Sequence, residues 1–194
     1  MALTTDKTPV SPAETGVFAA AATALRILPT LLVLPFNFAP VGGFAAFSGA
    51  RVRAWLAYLA PLVVMVVSDC VLWALKGDLY SPLHVSRPMV YGSFLLYVVL
   101  GRLLGRWGLL GLGAAAVLGS VQFFLLTNFA SWVELVDVYP RNWAGLIAAY
   151  DAGIPFYQST LLSDVCFAFA FLAAHLIWQR LAQPAPRPVE ASQS

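Results

Sequence analysis

Apolar runs long enough to enter a bilayer fill nearly the whole chain, and the short breaks between them alternate in charge. Arg51 and Arg53 share one break, Arg102 and Arg106 another, and Arg180 and Arg187 follow the last run. The breaks in between carry most of the acids: Asp78, Glu134, Asp137 and Asp151. Cytoplasmic loops of membrane proteins collect Lys and Arg, so the arginine breaks are expected on the inner side. Threading the chain through them predicts an all-α integral membrane protein of about six transmembrane helices, with both termini cytoplasmic.

Composition excludes the main rivals. Hydrophobic residues make up 60% of the 194 positions and charged residues only 10%, and mean hydropathy is +0.80. A soluble domain is about a quarter charged. Each crossing needs roughly 20 apolar residues, so six of them leave no room for a soluble domain. The net charge of +2 is too small to point to nucleic acid. No Gly-Lys-Ser/Thr loop that would cradle phosphate is present, which argues against ATP hydrolysis by the chain itself.

Spans are expected at about 16–36, 38–50, 54–75, 88–104, 107–130 and 155–181. Residues 1–15 then form a cytoplasmic N-terminal segment, 16–182 a single transmembrane domain, and the Pro-rich stretch 183–194 a disordered cytoplasmic tail. Lys7 before an Ala-rich run also fits a signal peptide, but Asp6, Glu14, Arg26 and the length of the run favour a retained span. The second run is short and is interrupted by Pro40, Gly42 and Gly43. A re-entrant segment there would break the arginine alternation, so a crossing is expected.

Polar residues within the spans cluster toward the outer side. Asp69 lies about 9 Å inside the outer end of the third span, and Asp164 about 13 Å inside that of the sixth. Gln122 and Asn128 in the fifth span, and Gln158, Ser159 and Thr160 in the sixth, join them. The inner halves hold fewer such groups, mainly Ser48, Ser120 and His175. A charge in a span costs at least about 2.5–3.5 kcal/mol and usually faces an interior or a cavity. The asymmetry predicts a polar bowl open to the outside. A structural role stays open beside it, in which the two acids pair with Arg26 or cap neighbouring backbone.

The outer segments are rich in aromatics: Tyr80, Tyr91, Trp132, Tyr139, Trp143, Tyr150 and Tyr157, with His84 among them. An interfacial belt accounts for some of these. It does not require Asn37, Asn128, Arg141 and Asn142 among them, whereas aromatic walls with a few polar groups suit a small-molecule site. The candidate substrate-binding set is therefore Asn37, Asp69, Tyr80, His84, Tyr91, Gln122, Asn128, Trp132, Asn142, Trp143, Tyr157, Gln158 and Asp164. Residues 142–152 are expected to form a short lid helix, ended by Asp151–Gly153 and Pro155.

Catalysis finds little support, and no cofactor or metal is expected. His84 and His175 fall on opposite sides of the membrane. Cys70 and Cys166 lack a CxxC partner and are expected to be buried structural residues. Ser86, His84 and Asp78 match no hydrolase motif, and Asp69 with Asp164 has no intramembrane protease signature. Gly101 with Gly105, Gly42 with Ala46, and Ala20 with Ala24 form small-xxx-small pairs that let helices approach closely.

Several segments together resemble a family of small bacterial membrane proteins of unknown function, described as candidate transport proteins. They are 37–43 (Asn-Phe-Ala-Pro-Val-Gly-Gly), Ser68-Asp69, Tyr91-Gly92-Ser93-Phe94, 124–132 with its Thr-Asn-Phe-x-x-Trp core, Ile154-Pro155-Phe156-Tyr157 and Ser163-Asp164. The resemblance covers about residues 25–174, and the Thr-Asn-Phe-x-x-Trp segment is its most specific part. That family is similar to the substrate-binding S-components of energy-coupling-factor (ECF) vitamin transporters. The likeness implies six helices, an outward-facing site, a place in the bacterial inner membrane, and an Ala-x-x-x-Ala face, here Ala20 and Ala24, that meets an energising module. Solitary relatives that take up cobalamin are the nearest functional precedent. In those a Cys ligates cobalt shortly before a Tyr; here Ser86 holds the comparable place before Tyr91, and Cys70 lies inside a span. That departure counts against cobalamin. The expected function is uptake of a small vitamin-like solute through an outward-facing pocket. The alternatives are a non-transporting scaffold or assembly subunit and, less favoured, an intramembrane enzyme.

Overall fold

The computed structural model describes residues 8–31, 38–77, 81–83 and 86–182. Ser11 opens the first helix. Its hydroxyl accepts the Glu14 amide at 3.2 Å, and its carbonyl accepts the Thr15 hydroxyl at 2.8 Å. With Pro12 next and Glu14 three residues on, this is a strong helix start. Helix α1 therefore runs Pro12–Leu31, beginning before the apolar run itself, at Pro12 rather than near Gly16. The remaining helices are α2 (Val41–Arg51), α3 (Leu56–Lys76), α4 (Arg87–Leu104), α5 (Gly108–Glu134) and α6 (Trp143–Ala182). A single 3-10 turn, Gly105–Trp107, leads to Gly108 at φ 70°, a backbone conformation that glycine adopts readily, and turns the chain from α4 into α5. The described residues contain no strand; an isolated bridge, Val10 with Val52, ties the N-terminal segment to the α2–α3 connection.

Residue pairings fix the direction of each helix. Val10 meets Arg51 and Arg26 meets Asp69, so α1 and α3 run parallel. Ser93 meets Gln122, and Gly119 lies against Tyr97, so α4 and α5 are antiparallel. Asn128 lies against Gly153, and Glu14 meets His175, so α6 returns to end beside the start of α1. The connections holding Arg51, Arg53, Arg102 and Arg106 gather at one end of the bundle, which we call the arginine end. The α3–α4 and α5–α6 connections lie at the opposite end.

Helix α2 sits at the centre. Its residues Val41–Gly49 are all buried, and it packs against each of the other five helices. A helix enclosed on every side needs small residues where backbones meet. Gly101 of α4 and Gly105 of the 3-10 turn lie against Ala46 and Ala50 of α2, so this GxxxG face is used inside the bundle. A methyl on Gly43 would meet the Ala168 amide at 2.6 Å, which shows how closely α6 approaches. Phe18, Phe44, Phe47 and Phe171 fill the remaining space with ring centroids 5.0–6.0 Å apart. At 11 residues α2 is only about 16 Å long, so it fills the arginine-end half of the bundle and stops.

Among the described residues, three helical stretches are long and apolar enough to cross a membrane: Leu56–Lys76, Arg87–Glu134 (α4, the turn and α5) and Trp143–Ala182. The outward surface is apolar too. Leu59, Val63, Val66, Val67 and Val71 of α3 are all exposed. A helix apolar on both its inner and outer faces is at home in lipid rather than water, and these helices suggest a membrane-embedded protein.

Two expectations are corrected. Cys70 and Cys166 are exposed rather than buried; on an apolar outer surface a weakly polar thiol needs no protein core. Residues 142–152 do not form a separate lid: the 40-residue α6 runs through Asp151–Gly153 and Pro155 without a break. Proline removes one backbone bond, but lateral packing carries the helix past it. Gly145, Ala149 and Gly153, four residues apart, lay a small-residue strip against the 140 carbonyl and Asn128. The Tyr150 hydroxyl donates to the Leu125 carbonyl at 3.0 Å, and Phe124 packs on Tyr150 and Tyr157.

Candidate functional site

A cavity of about 570 Å³ begins where α2 stops. Its floor is the first turn of α2 (Val41 and Gly42) with Met65, Tyr97 and Asp164. Its walls are aromatic: Phe94, Phe123, Phe124, Phe156 and Tyr157. Ser86, Arg87, Leu135 and Tyr139 line it toward the connections of the opposite end, and Arg26 reaches it from α1.

Asp164 is 2% exposed at the floor. It accepts the Ser120 hydroxyl at 2.7 Å and the Tyr97 hydroxyl, and the Gly43 backbone amide also donates to it. These donors come from α5, α4 and α2, so one carboxylate joins four helices. The contact with α2 also places a hydrogen-bond acceptor at a helix N-terminus, where backbone amides have no partner within the helix. Gly42 is needed for this approach, because a methyl there would occupy the position of the carboxylate.

The second acid is held differently. Asp69 is fully buried on α3, and the Arg26 guanidinium donates to it at 2.6 Å. The Tyr91 hydroxyl donates to its other oxygen at 2.8 Å, with the Arg87 guanidinium 3.6 Å from that oxygen. Arg26 also donates to Ser68, and Arg87 to the Ser81 carbonyl at 3.0 Å. Arg26 and Arg87 line the cavity, and Asp69 lies buried against them rather than in its wall. The Arg26–Asp69 pairing is the structural alternative read from the sequence.

Of the other expected site residues, Asn128 and Tyr157 join Asp164 in the cavity wall. Tyr91 stands outside it, on Asp69. Gln122 clasps α4 by accepting the Ser93 hydroxyl at 2.9 Å and donating to the Ser93 carbonyl at 3.1 Å. The Asn142 side chain accepts the Gly145 amide at 2.9 Å, which makes it the cap of α6. Trp132 donates to the Pro140 carbonyl at 3.0 Å and carries the Arg141 guanidinium over its ring, bracing the α5–α6 connection. Trp143 is 80% exposed and Gln158 is also exposed; neither lines the cavity. Asn37, Tyr80 and His84 lie outside the described residues. Ala20 and Ala24 are exposed on α1, and nothing packs where a side chain on Gly16 would go, so this small-residue face is open.

The cavity also takes residues that sequence reasoning did not select: Arg26 and Arg87, Tyr97, Thr127, Ser131 and the phenylalanines. Arg26 had a signal, being a charge inside an apolar run. Arg87 looked like a loop residue, and Tyr97 and the phenylalanines looked like core.

At the arginine end the His175 ring lies between the Glu14 carboxylate (Nδ1 to Oε1, 2.6 Å) and the Thr8 carbonyl (Nε2 to O, 3.1 Å). Both Glu14 and His175 are buried. This cluster fastens the start of α1 to the end of α6. Across the described residues, every buried side-chain nitrogen and oxygen has a hydrogen-bond partner.

The chain belongs to a family of unknown function, DUF6580, whose model matches residues 8–186. No curated protein and no solved structure matches it.

Proposed function

We propose that the protein is a membrane transport protein of the bacterial inner membrane that binds a small, vitamin-like solute in the cavity above α2. The carrying observation is the cavity itself. Its volume of about 570 Å³ falls in the range of small-molecule sites, roughly 300–1,000 Å³, and its aromatic walls with a few convergent polar groups have the composition of such sites. A corrinoid is far larger than the ligands such a volume encloses, which adds to the case against cobalamin.

In this reading all six helices count as crossings, with α2 a short one buried in the bundle. The arginine end and both termini face the cytoplasm, and the cavity faces outward. The fold is S-component-like, and the open Gly16, Ala20 and Ala24 face on α1 is where an energising module docks. That same open face favours the second reading, a scaffold or assembly subunit that uses α1 to hold a partner helix.

The test is to purify the protein from cells and identify co-purifying small molecules by mass spectrometry. A transport protein brings down a discrete molecule that Asp164→Asn or Tyr157→Ala releases. A scaffold brings down a protein partner that Ala20→Leu displaces. For topology, a reporter fused after Arg53 or Arg106 is expected on the cytoplasmic side and one after Gly77 or Val138 on the outside. Reporters on one common side at Arg53 and Gly77 sink the six-crossing topology.

A further inference from the structure

Charge is distributed unevenly around the cavity. Arg26 from α1 and Arg87 from α4 both line it, each with 13% of its side chain exposed. Both reach for the same carboxylate, at 2.6 Å and 3.6 Å. That carboxylate, Asp69, is fully buried and held by the Tyr91 hydroxyl at 2.8 Å. It can orient the two guanidiniums but does not itself enter the cavity. The floor instead carries the buried carboxyl of Asp164.

We propose that the solute carries an oxyanion, a carboxylate or a phosphate, which docks on the paired guanidiniums of Arg26 and Arg87 while its apolar body lies on the aromatic wall. This rests on the solute-binding reading above and narrows it. The planar guanidinium matches the two oxygens of a carboxylate or phosphate, and charge-assisted bonds of this kind are about twice as strong as neutral ones. Arg26 lies inside an apolar helix, where a charge is expensive and usually marks a substrate path when it faces a cavity. The oxygens of Asp164 at the floor already accept from Tyr97, Ser120 and the Gly43 amide and offer an anion no donor, so the charged group stays at the arginine pair and the neutral body enters first. Asp69 is then a positioning residue, and Arg87, 3.6 Å from Asp69, is the arm that closes on the solute.

The test uses the full chain in lipid nanodiscs and a matched pair of probes, 2-naphthoate and 2-naphthamide, which share a ring and differ in charge. Naphthoate is expected to bind about tenfold or more tightly than the amide, from the roughly 1.5–3 kcal/mol of a hydrogen bond to a charged group. Arg87→Gln should abolish that preference while leaving the thermal stability of the empty protein close to wild type, and Arg87→Lys should restore part of it. Equal binding of acid and amide, or a preference that survives Arg87→Gln, overturns the inference. The co-purified molecule separates the two levels of the argument. An anion retained by the wild type and lost from Arg87→Gln supports the inference. A neutral or cationic molecule overturns it and leaves solute binding standing. A protein that yields no bound molecule, and is stabilised by neither naphthoate nor inorganic phosphate, overturns both.

Discussion

The two halves of the bundle are built from the same helices yet pack in opposite ways. In the arginine-end half, α2 fills the centre and glycines let backbones touch: Gly49 on the Val98 carbonyl, Gly101 on the Ala46 carbonyl, Gly105 on Ala50. In the other half α2 is absent, large rings from α4, α5 and α6 face one another, and a cavity remains. The lesson is that the cavity arises from helix length rather than from any special wall residue. Among the described residues, one 11-residue helix beside longer ones leaves a cavity above its first turn. The polar groups follow the same division. The floor acid is satisfied by hydroxyls and an amide, and the side acid by guanidiniums and a phenol.

The comparison can be broken most severely in the closed half. A side chain at Gly49 meets backbone, which cannot give way as a flexible side chain can. Overpacking costs about 1–3 kcal/mol and more where backbone must move, so Gly49→Val should abolish most folded protein in gel filtration of the detergent extract. Gly92→Ala, near the start of α4 in the other half, where the new methyl would meet open space, should elute like wild type. Equal tolerance of both would mean that close packing does not distinguish the halves.

The boundary between the halves is the next place to press. Asp164→Leu leaves the Tyr97 hydroxyl and the Gly43 amide without their acceptor, at about 1–3 kcal/mol for each buried unsatisfied group, while the Ser120 hydroxyl keeps the Ala116 carbonyl at 2.9 Å. A strongly lowered melting temperature is expected. Asp164→Asn keeps an acceptor there and should fold, with solute binding reduced more than stability. If the Asn variant fails to accumulate yet binds normally per folded molecule, the acid only cements four helices.

The smallest effects belong to the open half. Truncating Phe124 or Tyr157 to Ala removes wall surface and should weaken solute binding by about 1–3 kcal/mol, the scale for a buried aromatic or aliphatic side chain. Trp143→Ala, on the exposed side of α6, should stay within about 0.5 kcal/mol of wild type in stability and leave binding unchanged. A loss of binding from Trp143→Ala alongside a silent Tyr157→Ala would move the site out of the cavity and onto the surface.

The helical class and the approximate helix positions were legible because long apolar runs mark helices that are buried or face lipid. The charge of the breaks sorted them into the two groups that the bundle brings to opposite ends. Three things were hidden for physical reasons. Ser11 and Glu14 are polar, so a search for apolar runs places the start of α1 too late, although the capping pattern was there to read. Pro155 and Gly153 carry strong local stop signals, and only contacts with α5 override them. Polar side chains in a span advertise that they need partners without saying which. Gln122, Asn142 and Trp132 find theirs within the protein, so they resemble ligand-binding residues in the sequence and act as clasps and caps in the fold. Arg87 erred the other way: a charge at a helix start carries no mark that it will line a cavity.

The Glu14–His175 contact joins residues 161 positions apart, and that separation sets an order of biosynthesis. The pairing of Arg26 with Asp69 is available once α3 has emerged, and that of Ser93 with Gln122 once α5 has. Glu14, Tyr97 and Ser120 must wait for α6, because His175 and Asp164 both reside there. Until the last helix arrives, the nascent chain holds these groups without the partners they have in the finished protein, at both ends of its future core. A chain truncated before α6 is therefore expected to accumulate far less than the full chain in an immunoblot, because the last helix completes both ends of the core.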